Sequence, residues 1–164
     1  MTYLNSKWHE FFLATAGAAA ALAGLIIVAM SVNIAKIIAI PSMPSRGAAT
    51  IGSLVLIVVV SAASLIPGQS DLMLGLETVL FAAGAMALYL DAGRKFTFLR
   101  AEIPLGQSLT KAAFGPDQIA PFLVGGILLT GSNPDGVYWI AAGTILVFIG
   151  SVITAWVLLV EILR

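Results

Sequence analysis

The sequence predicts an all-α membrane protein, a polytopic transmembrane helical bundle of about five helices. The chain has 164 residues, of which 60% are hydrophobic and 10% charged, and its mean hydropathy is +1.05. A soluble domain carries about 25% charged residues, so this chain has too little polar side chain to cover a water-facing surface. The apolar residues also fall in long blocks, which is typical of membrane spans. The length fits one domain.

The apolar blocks predict where the helices lie. The first block is longer than the roughly 20 residues that a span needs, so this helix is tilted or extends past the headgroups. It stops at Pro41 and Pro44, because proline lacks an amide donor. A short link at Pro67 joins the second and third blocks into an antiparallel hairpin. The fourth block is marginal in length, and is either a span or a re-entrant half-helix. The five predicted helices are 11–40, 48–66, 72–90, 119–131 and 137–163.

The stretch 91–118 is the one extended polar segment. Its charges include Arg94 and Lys95, and Phe96 and Phe98 are interleaved with them. Basic and aromatic residues in alternation suit the headgroup layer of a membrane. The segment is therefore predicted to be a cytoplasmic interfacial loop, either a short amphipathic helix or a solvated connection.

The basic residues predict the orientation of the bundle. With five spans, Lys7 is the only basic residue on the N-terminal side of the membrane. Basic residues concentrate on the cytoplasmic side of membrane proteins. We therefore expect the N-terminus to face outward and the C-terminus to face the cytoplasm. The basic residues on the predicted cytoplasmic side are Lys36, Arg46, Arg94, Lys95, Arg100, Lys111 and Arg164.

A candidate intramembrane polar site is formed by Glu77, His9 and Glu10. Glu77 lies about five residues into the third predicted helix, roughly 7 to 8 Å deep. An acidic residue at that depth is a functional candidate by default, although a shallow glutamate also reaches headgroups or a serine. His9 and Glu10 lie at the outer mouth, and histidine titrates near physiological pH. The alternatives for Glu77 are proton or cation handling and structural hydrogen bonding.

Small residues at helical spacing predict close helix packing. Gly17, Ala21 and Gly24 lie on the first helix, and Gly143 and Gly150 on the fifth. Small residues three or four positions apart let two helix backbones approach closely. The partner is either another helix of this chain or another subunit.

The composition excludes several classes of chemistry. Cysteine is absent, which excludes disulfides and thiolate sites, and His9 is the single histidine. One chain therefore provides no multi-histidine metal or haem site. No zinc-protease pair, phosphate loop or nucleophile elbow occurs. No basic stripe or motif for nucleic acid appears. We expect no enzymatic activity, no cofactor, no metal and no nucleic-acid partner.

The chain resembles a family of small multi-span bacterial membrane proteins. The resemblance rests on Trp8 to Phe12 followed by an alanine-rich helix, on Leu74 to Glu77, and on the ending Ala155 to Arg164. Some members of that family carry the label "modulator of FtsH protease", a membrane AAA+ protease. The resemblance implies location in the bacterial inner (cytoplasmic) membrane and carries no known chemistry.

Three functions follow as expectations. The first is a non-enzymatic accessory or regulatory subunit, whose partners are membrane lipids and other membrane proteins. The second is an oligomeric ion or proton channel, in which Glu77 forms a ring of acids in a homo-oligomer. The third is a small transporter or lipid-binding protein, with the short fourth helix as its broken segment.

Overall fold

A computed structural model describes residues 4–32, 34–39, 43–98 and 116–163. Every secondary-structure element in these ranges is an α-helix, and the helices are joined by turns. The predicted all-α fold class is confirmed. The helices are α1 (Leu4–Val32), α2 (Ile34–Ala39), α3 (Met43–Ser64), α4 (Asp71–Phe98), α5 (Pro116–Thr130) and α6 (Gly136–Leu163).

Helices α1 and α4 extend beyond the apolar blocks that predicted them. Helix α1 begins at Leu4, and α4 continues to Phe98, through the first part of the predicted loop 91–118. A helix can continue past the edge of the hydrocarbon layer, because Lys and Arg are good helix formers in water. The remainder of that predicted loop, up to residue 115, lies outside the described residues.

Four of the helices are long and apolar enough to cross a membrane. Their candidate spans are Trp8–Val32, Pro44–Ser64, Asp71–Asp91 and Gly136–Trp156. Helix α5 is also apolar but has 15 residues, which makes it about 22 Å long at 1.5 Å rise per residue. It is therefore shorter than the roughly 30 Å hydrocarbon core of a bilayer.

The long helices pack in the order in which they occur in the chain. Helix α1 packs on α3, α3 on α4, α4 on α5, and α5 on α6. Helix α6 then returns to contact α3 and α1, which closes the bundle. The short α3–α4 and α5–α6 connections make each of these two pairs antiparallel, as the predicted hairpin of α3 and α4 requires.

Two turns fix the α3–α4 and α5–α6 connections. In the first, Gly68 has a φ of 78°, and the Ser70 hydroxyl accepts a hydrogen bond from the Met73 amide at the start of α4. In the second, Ser132 has a φ of 61°, and the Asn133 amide donates to the carbonyl of Leu128. This pattern is a Schellman motif, which satisfies the last carbonyls of α5.

Helix α6 starts directly after that motif. The Asp135 amide donates to the Asn133 side chain at 3.0 Å, and Pro134 follows Asn133. Asn133 and Pro134 therefore lie in the turn just before the first helical residue, Gly136, and an asparagine side chain that accepts from the backbone is favoured there. The end of α5 and the start of α6 are therefore held at the same end of the bundle.

Candidate functional site

Aromatic residues mark one end of the bundle, called here the Trp8 end. The ring centroids of Trp8 and Tyr138 lie 5.0 Å apart in an edge-to-face contact, and Trp8 also packs on Phe11 and Phe12. These contacts join the start of α1 to the start of α6. Edge-to-face aromatic pairs contribute roughly 0.5 to 1.5 kcal/mol beyond their buried area.

Trp156, near the end of α6, marks the opposite end of the bundle, called here the Trp156 end. On α6, Tyr138 and Trp139 are 63% and 46% exposed, and Trp156 is 69% exposed. Trp139 and Trp156 are about 26 Å apart along the helix axis. Trp and Tyr are enriched at both membrane–water interfaces, so these residues provide a depth scale along α6.

Glu77 lies near the level of Trp139. Gly75 and Gly136 both face the last turns of α5, which places the two residues at equal depth. Glu77 lies within one helical turn after Gly75, and Trp139 lies within one helical turn after Gly136. The Glu77 carboxylate is half-buried and accepts a hydrogen bond of 2.7 Å from the Gln69 amide in the α3–α4 turn. Its surroundings are therefore those of an interfacial acid with a local partner.

The three residues of the candidate polar site do not form one hydrogen-bonded cluster. His9 and Glu10 are exposed on α1, and Glu77 lies on α4. Helix α3 packs against both α1 and α4. Among the described side chains, Gln69 is the hydrogen-bond partner of Glu77, and no hydrogen bond joins Glu77 to His9. A role for Glu77 in a channel stays a prediction.

Helix α5 is held between α4 and α6 by backbone contacts at glycines. A Cβ placed at Gly75 would lie 2.7 Å from the Gly126 carbonyl oxygen and 2.7 Å from the Thr130 nitrogen. On the other side, Gly125 and Gly136 lie with each backbone against the other. Both contacts need the absence of a side chain, so the adjacent Gly125 and Gly126 serve different neighbours.

The contacts of α5 with α6 continue to the other end of α5. Gly143 lies against the ring of Phe122, and Gly150 lies against the Gln118 amide. Phe122 and Gln118 are both buried. These contacts run along the length of α5, so in the described residues the two helices meet directly along their shared face.

Gly17, Ala21 and Gly24 have the opposite environment. All three are exposed on α1, and a Cβ at Gly17 or Gly24 would meet nothing within 4 Å. The buried face of α1 instead uses Ala19, Ala23 and other residues against α3. The predicted small-residue face of α1 is therefore turned away from the described part of this chain.

Buried hydroxyl groups are mostly bonded to the backbone of their own helix. Ser64 donates to the Val60 carbonyl, Thr78 to Leu74 and Thr144 to Ile140, each at 2.7 to 2.9 Å. Such bonds satisfy a serine or threonine without a partner on another helix. Hydroxyl contacts between helices in the described part of the chain include Thr15 with Ser61 and Tyr89 with Ser53.

Asp117 is an acidic residue whose placement the sequence analysis missed. The proline-aspartate pair before the fourth apolar block was assigned to a loop. In the structure, Pro116 and Asp117 form the first turn of α5, and Asp117 is exposed. Proline at the first helical position and an acid in the first turn are signals of a helix start.

The described residues contain no group of three or more His, Cys, Asp or Glu side chains that could hold a metal ion.

The fold defines the class of the protein as a helical membrane protein with several apolar helices compatible with membrane insertion. Comparison with protein families, with curated proteins and with solved structures gives no match.

Proposed function

We propose that the protein is a non-enzymatic accessory or regulatory subunit that binds another membrane protein through α1. The observation that carries this proposal is the exposed face formed by Gly17, Ala21 and Gly24, called here the α1 small-residue face. The glycines of α5 and α6 contact neighbouring helices, whereas those of the α1 small-residue face are open. Small residues at this spacing suit close approach of a partner helix.

The rest of α1 allows this face to be used without unfolding the bundle. Its opposite side is anchored to α3 by buried residues and to α6 through the contact of Trp8 with Tyr138. A partner helix on the small-residue face would therefore add to a helix that is already held on its other side. Helix association in lipid depends on this kind of van der Waals packing, since the hydrophobic effect is not available between lipid-exposed helices.

The proposal is tested by photo-crosslinking in native membranes. A photoreactive amino acid is placed at Ala21, and the matched control carries it at Ile145, which is exposed on α6. We expect a discrete crosslinked product from Ala21 and none from Ile145. Substituting Gly17→Leu and Gly24→Leu together should abolish the product, because the added side chains fill the space that the partner helix occupies.

The mass of the crosslinked product identifies the type of partner. A product containing a different membrane protein supports the accessory-subunit proposal, and the family resemblance makes a membrane AAA+ protease the first partner to test directly. A product of twice the chain mass would replace it with a homo-oligomer, the assembly that a channel lined by Glu77 requires. Equal products from both positions, or none from Ala21, would contradict a specific α1 interface.

A further inference from the structure

The position of α5 along its neighbours is fixed at both of its ends. At the Trp8 end, Thr130 lies against Gly75, and Gly125 lies against Gly136. At its other end, Gln118 lies against Gly150. Both α4 and α6 continue beyond this level, to Phe98 and Leu163 respectively. The start of α5 is therefore held partway along two longer helices.

The depth scale on α6 places the start of α5 inside the hydrocarbon layer. Gly150 lies about 17 Å from Trp139 along the helix axis and about 9 Å short of Trp156. Asp117 precedes Gln118, so its exposed carboxylate lies at nearly the same depth. Helix α5 is shorter than the bilayer core, and the shortfall falls entirely at the Trp156 end.

An exposed carboxylate at this depth needs water or headgroups. Charged side chains within the bilayer face water-filled cavities or partners, because an ionised group in lipid costs several kcal/mol. Among the described residues, no hydrogen bond or ion pair reaches the Asp117 side chain. Long Lys and Arg side chains extend to the interface, but aspartate has one methylene and cannot cover about 9 Å.

A buried hydroxyl lies at the same level. Ser151 follows Gly150, is 1% exposed, and its Oγ has no hydrogen-bond partner in the described residues. The other buried hydroxyls described above have backbone or side-chain partners. A polar group left without a protein partner in a packed interior is costly, and a bound water is the usual way to satisfy it.

We propose that the short α5 opens a hydrated notch in the bilayer at the Trp156 end, into which water and the phospholipid headgroups of that leaflet reach as far as Asp117. The notch lies between the continuing parts of α4 and α6. A helix shorter than the hydrocarbon is accommodated by local thinning of the bilayer. The protein therefore presents one full-thickness side, at α1 and α3, and one thinned side at α5.

The absence of native cysteine allows a direct test by single-cysteine labelling. The protein is reconstituted in nanodiscs, so that both membrane faces are accessible, and treated with a charged maleimide that does not enter lipid. Asp117→Cys is compared with Ile149→Cys, which is exposed on α6 at the same depth. We expect position 117 to react at least about tenfold faster, because charged reagents do not enter the hydrocarbon that covers position 149.

Two further variants retain the carboxylate. Ala120→Cys lies one turn further into the bilayer on the same exposed face of α5, and Val124→Cys lies one turn beyond it. With Asp117 intact, position 120 should react faster than position 124. Each rate is normalised to complete labelling in denaturant, and circular dichroism verifies that each variant remains folded.

The outcomes separate clearly. Fast labelling at 117, a decline from 120 to 124 and protection at 149 support the notch. Protection at both 117 and 120 would show that Asp117 is covered by protein or lies in lipid as the neutral acid, and would overturn it. Equal labelling at 117 and 149 would also overturn it, because the membrane boundary would then lie closer to the Trp8 end.

Discussion

The bundle joins its helices in two different ways on its two sides. Helices α1 and α3 both contribute buried side chains to the hydrophobic cluster, among them Ala23 and Ile26 from α1 and Leu54 and Ile57 from α3, and a hydroxyl pair adds a polar contact. Between α4, α5 and α6, glycine backbones touch. Side-chain packing tolerates adjustment by rotamer changes, whereas backbone contact does not. The two sides should therefore differ in their response to a single added methyl group.

The difference has a structural cause in the length of α5. A span of 21 residues has about six turns over which to bury side chains, whereas α5 has 15 residues, about four turns, and packs between two longer helices. Close approach increases the number of dispersion contacts per turn, which is what stabilises helix pairs in lipid. The glycines at Gly75, Gly126 and Gly136 permit that approach.

The largest expected effect is that of Gly75→Ala on α4. The new Cβ would lie 2.7 Å from two backbone atoms of α5, so the helices must separate. Forcing extra volume into a packed contact typically costs about 1 to 3 kcal/mol, and we expect the upper part of that range because the obstacle is backbone. The measurement is the free energy of unfolding, from SDS titration in mixed micelles followed by circular dichroism.

Gly84→Ala is the matched control on the same helix. A Cβ at Gly84 would meet nothing within 4 Å, so the substitution should leave stability unchanged or raise it by up to about 1 kcal/mol through helix propensity. If the two alanine variants were equally stable, the backbone contact at Gly75 would not be sensitive to an added methyl group, and the proposed rigidity of the glycine-packed side would be wrong.

A smaller effect is expected from Gly150→Ala on α6. Here the three atoms nearest to the new Cβ all belong to the Gln118 amide, which is the end of a flexible side chain. The amide turns aside at a cost of about 1 kcal/mol, near the lower limit for overpacking. In a Gln118→Ala background, the same substitution should cost less, because its obstacle has been removed. An unchanged cost in that background would show that the α5 backbone is the obstacle here too.

The helices themselves were predictable because the bilayer leaves few alternatives. A lone strand in lipid has unsatisfied backbone groups, so each long apolar block must be a helix. The hairpin of α3 and α4 followed from the short link at Pro67. The extension of α4 to Phe98 could not be predicted from hydropathy. Hydropathy locates the edge of the hydrocarbon layer, but it does not show whether the chain stays helical in the headgroup layer and beyond it.

The environment of each small residue was not predictable from spacing. Gly17 and Gly24 have the same helical spacing as Gly143 and Gly150, yet the first pair is open and the second pair is in contact. Spacing shows that residues share a face, but not which neighbour that face meets. The separate contacts of Gly125 and Gly126 could not be predicted from spacing either, because adjacent residues do not share one helix face.

The smallest expected effect concerns the hydroxyl pair between α1 and α3. The oxygens of Thr15 and Ser61 lie 3.2 Å apart, and Thr15 is also within 2.9 Å of the Phe11 carbonyl of its own helix. Either hydroxyl can donate in the Thr15–Ser61 contact, and when Thr15 donates to the Phe11 carbonyl it accepts from Ser61. Hydrogen bonds between membrane helices average about 0.6 kcal/mol, since the unfolded helices find other partners in the bilayer.

A double-mutant cycle measures this contact. Thr15→Val and Ser61→Ala, singly and together, should give a coupling of about 0.6 kcal/mol in the SDS titration. The control cycle combines Thr15→Val with Ser64→Ala. Ser64 bonds to the Val60 carbonyl of its own helix, so this cycle should give no coupling. A Thr15–Ser61 coupling energy as large as the cost of Gly75→Ala would mean that the α1–α3 side depends on one specific polar contact. The two sides would then differ in the type of contact that stabilises them, polar or backbone, and not in their tolerance of an added methyl group.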